Sequence, residues 1–291
     1  MPMKSVRAFT LVELIMVIAL SGIVLLMITS VMQHPLRAFV DQTRRSELVE
    51  QATVALNRMA RDIRLAVPNS IRQSSDGRTL ETLNILQAGR YVSNRAGGDS
   101  LRFSSEPSGC ETNNGRCDGF QVLDPDLPVA GARWLVINNL GANSGGVPTP
   151  GGNVWAYADP GVITPTGTTF DATQTGNETL VTLDLPGGAF TFVHASPQRR
   201  FYLADQAIGY RCNPASSGGQ LLRYTSVTLS ASVSSAVPSD AVPVASHVTA
   251  CSFVYQPGNP QRPGLVTLSL TLDRDGESIT LQQQVHIDNA P

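Results

Sequence analysis

The strongest hydrophobic pattern lies at the start of the chain. From Phe9 to Met32 the residues read FTLVELIMVIALSGIVLLMITSVM, an apolar run broken near its beginning by one acid, Glu13. A helix of about 20 apolar residues is long enough to cross a bilayer, so the run predicts a membrane-inserting helix. Ahead of it, MPMKSVRA carries Lys4 and Arg7 and no acid. Positive flanks stay in the cytoplasm, which places the rest of the chain outside it. A secretory signal core is shorter, roughly 7–15 residues, and has its small-residue cleavage site behind it. Here the small residue, Ala8, stands in front.

Past Met32 the pattern becomes one-sided. Phe39, Leu48, Ala52, Leu56, Met59 and Ile63 recur near helical spacing, while Arg44, Arg45, Glu47, Glu50, Arg58, Arg61 and Arg64 occupy other faces. This predicts an amphipathic continuation of the helix, its stripe packed on a folded body. Pro35 should kink the helix and Pro68 should end it, because proline lacks the backbone donor and clashes with the preceding turn.

After Pro68 the helical period gives way to short alternating or apolar runs separated by Gly, Pro, Asn and Asp. Strands are predicted at 101–104, 120–123, 134–138, 154–157, 179–183, 190–194, 200–203, 208–211, 220–224, 247–255, 265–272 and 278–287. Asp273-Arg274-Asp275-Gly276 joins the last two and is a strong hairpin signal. Segments 139–153 and 158–177, rich in Gly, Thr, Asn and Pro, read as long surface loops. The fold class is α+β, with a long N-terminal helix against a large antiparallel β-rich body.

Composition sharpens this picture. Charged residues make up 15% of the chain, and there are 25 Gly and 19 Pro, which suits a secreted, loop-rich β protein. Residues 1–72 hold nine Lys/Arg against five Asp/Glu, and the remainder twelve against eighteen. The net charge of -2 gives no bulk signal for nucleic acid. Four cysteines, Cys110, Cys117, Cys212 and Cys251, permit three connectivities. The pairing expected is Cys110 with Cys117, around a turn-like ETNNGR, and Cys212 with Cys251. Such bridges belong to an oxidising compartment such as the periplasm.

Catalytic motifs are missing. The sequence holds no phosphate-binding loop, dinucleotide fingerprint or nucleophile elbow. His34, His194, His247 and His286 are scattered, none at ligand spacing with a second histidine. Asp273–Glu277 resembles only the start of a calcium loop, and Asp124 and Asp126 flank a proline; turn formation explains both. The reading is a non-enzymatic protein with no cofactor and no metal. Trp155 is expected in the core, although Trp155 and Tyr157, if exposed, would suit a binding module.

Ala8-Phe9-Thr10-Leu11-Val12-Glu13 resembles the processing site of type IV pilins and type II secretion pseudopilins, with Ala8 where that family usually has Gly. The resemblance implies three sections: a leader at 1–8, a transmembrane and amphipathic helix at 9–67, and an extracytoplasmic body at 68–291. It implies cleavage between Ala8 and Phe9 by prepilin peptidase and N-methylation of Phe9. It implies that Glu13 neutralises a neighbouring subunit's terminal amine in a filament. An acid at the centre of a membrane helix costs about 2.5–3.5 kcal/mol, and a buried ammonium partner makes it tolerable. The stretch from Gly264 to Pro291, with Cys251–Tyr255 before it, resembles minor pilins of the mannose-sensitive haemagglutinin (MSHA) pilus. The wider resemblance is to the PilW and GspJ group of large minor pilins and pseudopilins. Its implied partners are other minor and major pilins and an inner-membrane assembly platform. The implied location is the inner membrane, single-pass with the body in the periplasm, and then the pilus. Alternatives of the same architecture are a secretion pseudopilin and a tip adhesin.

Overall fold

The computed structural model describes residues 9–92, 100–105, 117–234, 236, 238–258 and 262–289, with the backbone only for 33–37 and 175. Ala8, the rest of the leader and Cys110 lie outside the described residues.

One helix, α1 (Leu11–Arg64), spans the whole N-terminal segment. At 1.5 Å per residue it is about 80 Å long. The helix runs through Pro35 without interruption. Pro68, expected to end it, lies beyond its end. The helix stops at Arg64, where the chain turns to join a sheet: Ile85 N–H donates to Leu65 O at 2.8 Å and Val67 N–H to Leu83 O at 2.8 Å.

The strands follow in sequence. β1 (Arg72–Gln73) and β2 (Thr79–Arg90) precede β3 (Arg102–Phe103), β4 (Gly119–Val122) and β5 (Trp134–Val136). A small hairpin, β6 (Asn143–Ser144) and β7 (Val147–Pro148), leads to β8 (Thr169–Thr175), β9 (Glu178–Asp184) and β10 (Thr191–Phe192). Then come β11 (Arg200–Asn213), β12 (Gln220–Ser226), β13 (Val242–Ser246), β14 (Val248–Gln256), β15 (Gly264–Arg274) and β16 (Glu277–Ile287).

β1-β2-β11-β12-β13 form one sheet, with β5 also paired to β11, and β14-β15-β16 form a second. The inner stripe of α1 lies against these sheets. Leu48, Ala52, Ala55, Leu56, Met59 and Ile63 join Leu80, Tyr210, Phe253, Leu268 and Val285 in one core. Phe39, expected in that stripe, is 70% exposed, because the body does not reach so far down the helix. Two further cores fill the rest of the body. One gathers Phe103, Phe120, Phe192 and Phe201 beside the sheet β4-β9-β8; the other gathers Trp134, Trp155, Val136 and Ile163. β11 serves all three. Phe201 and Leu203 face one core and Tyr202 and Ala204 another, and after a register shift Ile208, Tyr210 and Cys212 face α1.

Pairing is antiparallel throughout the larger sheets, as expected, with β3 and β10 a short parallel exception. The predicted strands at 200–203 and 208–211 are one strand, β11. Residues 154–157 are turn and bend rather than strand. Val154 and Trp155 are buried from that turn, which explains a short apolar run without a period. The two segments read as loops contain β6, β7 and β8. Three further strands, β1, β2 and β13, form where none was expected.

Candidate functional site

The candidate site is the part of α1 that the body leaves bare. Thr10 caps the helix: its backbone is extended (φ -80°, ψ 150°), and its Oγ1 accepts from the Glu13 N–H at 3.3 Å. This satisfies one of the four orphan donors at a helix start. Glu13 stands exposed in the first turn, where the helix dipole favours an anion. Phe9 is 77% exposed beside it. Leu11–Met32 is apolar and long enough to cross a membrane, and the body covers none of it. Two of its three hydroxyls bond within the helix, Ser21 Oγ donating to Val17 O at 2.6 Å and Thr29 Oγ1 to Leu25 O at 2.8 Å. A segment without water must satisfy its polar groups internally, and these two back-bonds do so for Ser21 and Thr29.

The body takes hold above Val40. The β15–β16 turn, with Asp275 at φ 52° and Gly276 at φ 88°, is the two-residue hairpin the sequence indicated. It also reaches the helix. Arg274 Nη1 donates to Glu47 Oε2 at 3.1 Å, and Arg44 Nε lies 3.6 Å from Asp275 Oδ2. Further up, Gln283 Nε2 donates to Asn57 Oδ1 at 3.3 Å. β16 therefore runs alongside α1.

One charged group of α1 points into the interface. Asp62 Oδ2 accepts from Tyr210 Oη at 2.7 Å and from Arg223 Nε at 2.9 Å. Burial and the Asp62 hydrogen bond push the Tyr210 phenol well above its usual range. Burial alone would lower Arg223, but the Asp62 hydrogen bond and charge outweigh it and raise the guanidinium. A second network braces the outer face of the sheet. Arg72 donates to Glu81 Oε2 at 2.8 Å from Nε, Tyr224 Oη donates to Glu81 Oε1 at 2.6 Å, and the Arg72 guanidinium stacks 3.8 Å from the Trp155 ring. Burial and Glu81 push the Tyr224 phenol up, while burial pulls Arg72 down. The Tyr224 ring lies over Gly209, where an added Cβ would meet Tyr224 Cζ at 2.0 Å. Neither network was legible beforehand, since Tyr210 and Arg223 lie 148 and 161 residues from Asp62, and Tyr224 lies 143 from Glu81.

The remaining candidate residues are dispersed. Cys212 is bonded to Cys251, joining β11 of one sheet to β14 of the other. Cys117 is buried, with the Arg102 Nη2 donor 3.7 Å from its sulfur. Trp155 is buried and its Nε1 donates to Ser70 O at 2.7 Å, whereas Tyr157 is exposed and stacks on Phe190. His194, His247 and His286 are exposed and lie on different elements. Asp124 Oδ1 accepts from the Asp126 N–H at 3.2 Å, a local turn around Pro125. A cleft of about 760 Å³ opens between Arg72, Asn143, Val147, Trp155 and Tyr255.

Comparison with known proteins adds one match. The family described as "Prokaryotic N-terminal methylation motif" matches residues 3–29. That stretch holds the basic leader residues, Phe9, Glu13 and most of the bare apolar helix. No curated protein and no solved structure matches the chain. Proteins with this motif are structural subunits, and the motif with its apolar helix indicates anchoring in the inner membrane followed by transfer to a pilus. Residues 3–29 thus carry the N-terminal methylation motif of type IV pilins and pseudopilins, the motif that prepilin peptidase processes.

Proposed function

We propose that this chain is a minor pilin of an MSHA-type pilus, acting with other minor subunits to initiate assembly and standing at or near the filament tip. The carrying observation is the bare head of α1, which presents Phe9 and Glu13 at the end of an uncovered apolar helix. Cleavage between Ala8 and Phe9 would free the terminal amine for methylation. Glu13 of one subunit would then face that amine on the next, because a buried acid and a buried ammonium are each tolerable only together. The large body, with three cores and irregular connections, suits a subunit used in few copies. The platform and the other pilins supply the mechanical work; this chain is a building block.

The test is a deletion strain with and without a plasmid copy, with surface pili counted by electron microscopy. Loss of pili and their return with the plasmid supports the reading. Unchanged pilus number excludes an essential priming role. A secretion pseudopilin shares the same motif. That reading gains if the gene lies among secretion genes and deletion abolishes export of a secreted enzyme while leaving pili intact.

A further inference from the structure

Among the described residues, five other than glycine hold a positive φ. Four are Asn69, Asn138, His247 and Asp275, residue types that enter the left-handed region most readily. The fifth is Arg199, at φ 56°. A frame of hydrogen bonds fixes it there. Arg199 N–H donates to Ser196 O at 2.8 Å, Tyr91 N–H donates to Arg199 O at 2.9 Å, and Tyr91 Oη accepts from Ser196 N–H at 3.0 Å. Asparagine or glycine would make the same turn at lower cost. What arginine adds is a guanidinium beside a cleft.

That cleft encloses about 720 Å³, within the usual range of a ligand site. Arg90 and Arg199 both line it, both are exposed, and among the described residues neither forms an ion pair. Arg200, opposite Arg90 across the β2–β11 pair, is engaged with Tyr202 and lies outside the lining. Leu127 is buried in the lining, whereas Leu123, also in the lining, is 70% exposed. Asp124 is the one acid there, and its Oδ1 accepts from the Asp126 N–H. The core behind, with Tyr91, Val122 and Leu127, includes no residue of α1. A partner seated here leaves the bare helix head untouched.

We propose that this cleft docks a short acidic segment of another protein, with an apolar side chain set between its carboxylates. The planar forks of two free arginines match carboxylates, each gripping one through paired N–H donors. The exposed Leu123 favours an apolar group beside the charge, because covering it removes apolar surface from water. The positive charge is local. Residues 73–291 carry twelve Lys/Arg against eighteen Asp/Glu, so a long polyanion such as nucleic acid meets repulsion that a short segment avoids. Asp124 turns anions away from its own side and leaves the arginine side as their seat. The proposal goes beyond the pilin reading and stands without it.

The test uses the full chain in a non-ionic detergent and a fluorophore-capped, amidated peptide holding one leucine between two aspartates, read by anisotropy at low salt. Binding should exceed that of the asparagine counterpart by about tenfold or more, and weaken as salt is raised. Arg90→Gln and Arg199→Gln should each weaken it about tenfold, and Asp124→Asn should strengthen it about twofold. Arg199→Asn separates binding from folding. It should lose the same affinity yet melt at or above the temperature of the unaltered chain, because asparagine accepts the left-handed backbone. Equal affinity for the acidic and neutral peptides overturns the inference, as does a single-stranded oligonucleotide that binds more tightly than the acidic peptide. So does an Arg199→Asn variant that melts markedly lower, since the arginine would then serve the turn. None of these outcomes touches the pilin reading, which the deletion strain decides.

Discussion

Glu13 and Asp62 are acids on the same helix with opposite surroundings. Glu13 stands bare in the first turn, while Asp62 is held by Tyr210 and Arg223. Their replacement should separate assembly from folding. Glu13→Ala should leave cleavage and domain stability intact and exclude the chain from filaments, as read by intact mass and blotting of sheared pili. Asp62→Ala should destabilise the body by about 2–3 kcal/mol, because it strands a half-buried guanidinium and a phenol; the denaturation midpoint of the full chain in detergent would show it. Tyr224 gives a pH signature. Its phenol is raised in the fold, mainly by burial and then by Glu81. A raised group contributes stability that is complete below the unfolded value of about 10 and lost as pH rises beyond it. The melting temperature should fall above that pH, and less steeply in Tyr224→Phe.

At the scale of elements, legibility followed the physics of each segment. α1 was evident because its period is strong and long. The β15–β16 hairpin was evident because Asp275-Gly276 suits a turn with two positive φ angles. β2 was missed although it is central. It reads as polar, TLETLNILQAGR, yet Thr79–Leu83 are all buried. Glu81 is buried there with Arg72 and Tyr224 satisfying it, and Tyr224, 143 residues away, leaves no local mark. β8 was missed for another reason, being largely exposed and threonine-rich on a sheet edge. The bare helix head was the most readable part of the site, since its chemistry sits in consecutive residues. The clamp of Arg44 and Glu47 on the hairpin was not, since the tip lies about 230 positions away in sequence and only the tertiary fold brings it there. The Cys212–Cys251 bridge ties the two sheets that share a core with α1. Replacing both cysteines with serine should remove about 2–4 kcal/mol and lower the melting temperature by roughly 5–15 °C.

For the whole molecule, the division between bare and buried helix predicts what can be removed. The body's grip starts at Arg44, so a chain lacking everything through Val40 keeps its three cores. It should be soluble without detergent and melt within about 2 °C of the full chain in detergent. A much lower melting temperature would mean that the lower helix also stabilises the body.

The parallel run of β16 along α1 has a mechanical meaning. Any pull on the helix passes straight into the body, since anchor and core are one continuous element. The contacts at Arg44, Glu47, Asn57 and Asp62 are spread along the line of pull. They share the load in shear and must break together rather than open one after another like a zip. A subunit tugged lengthwise should therefore resist far more force than the same interface peeled from one end.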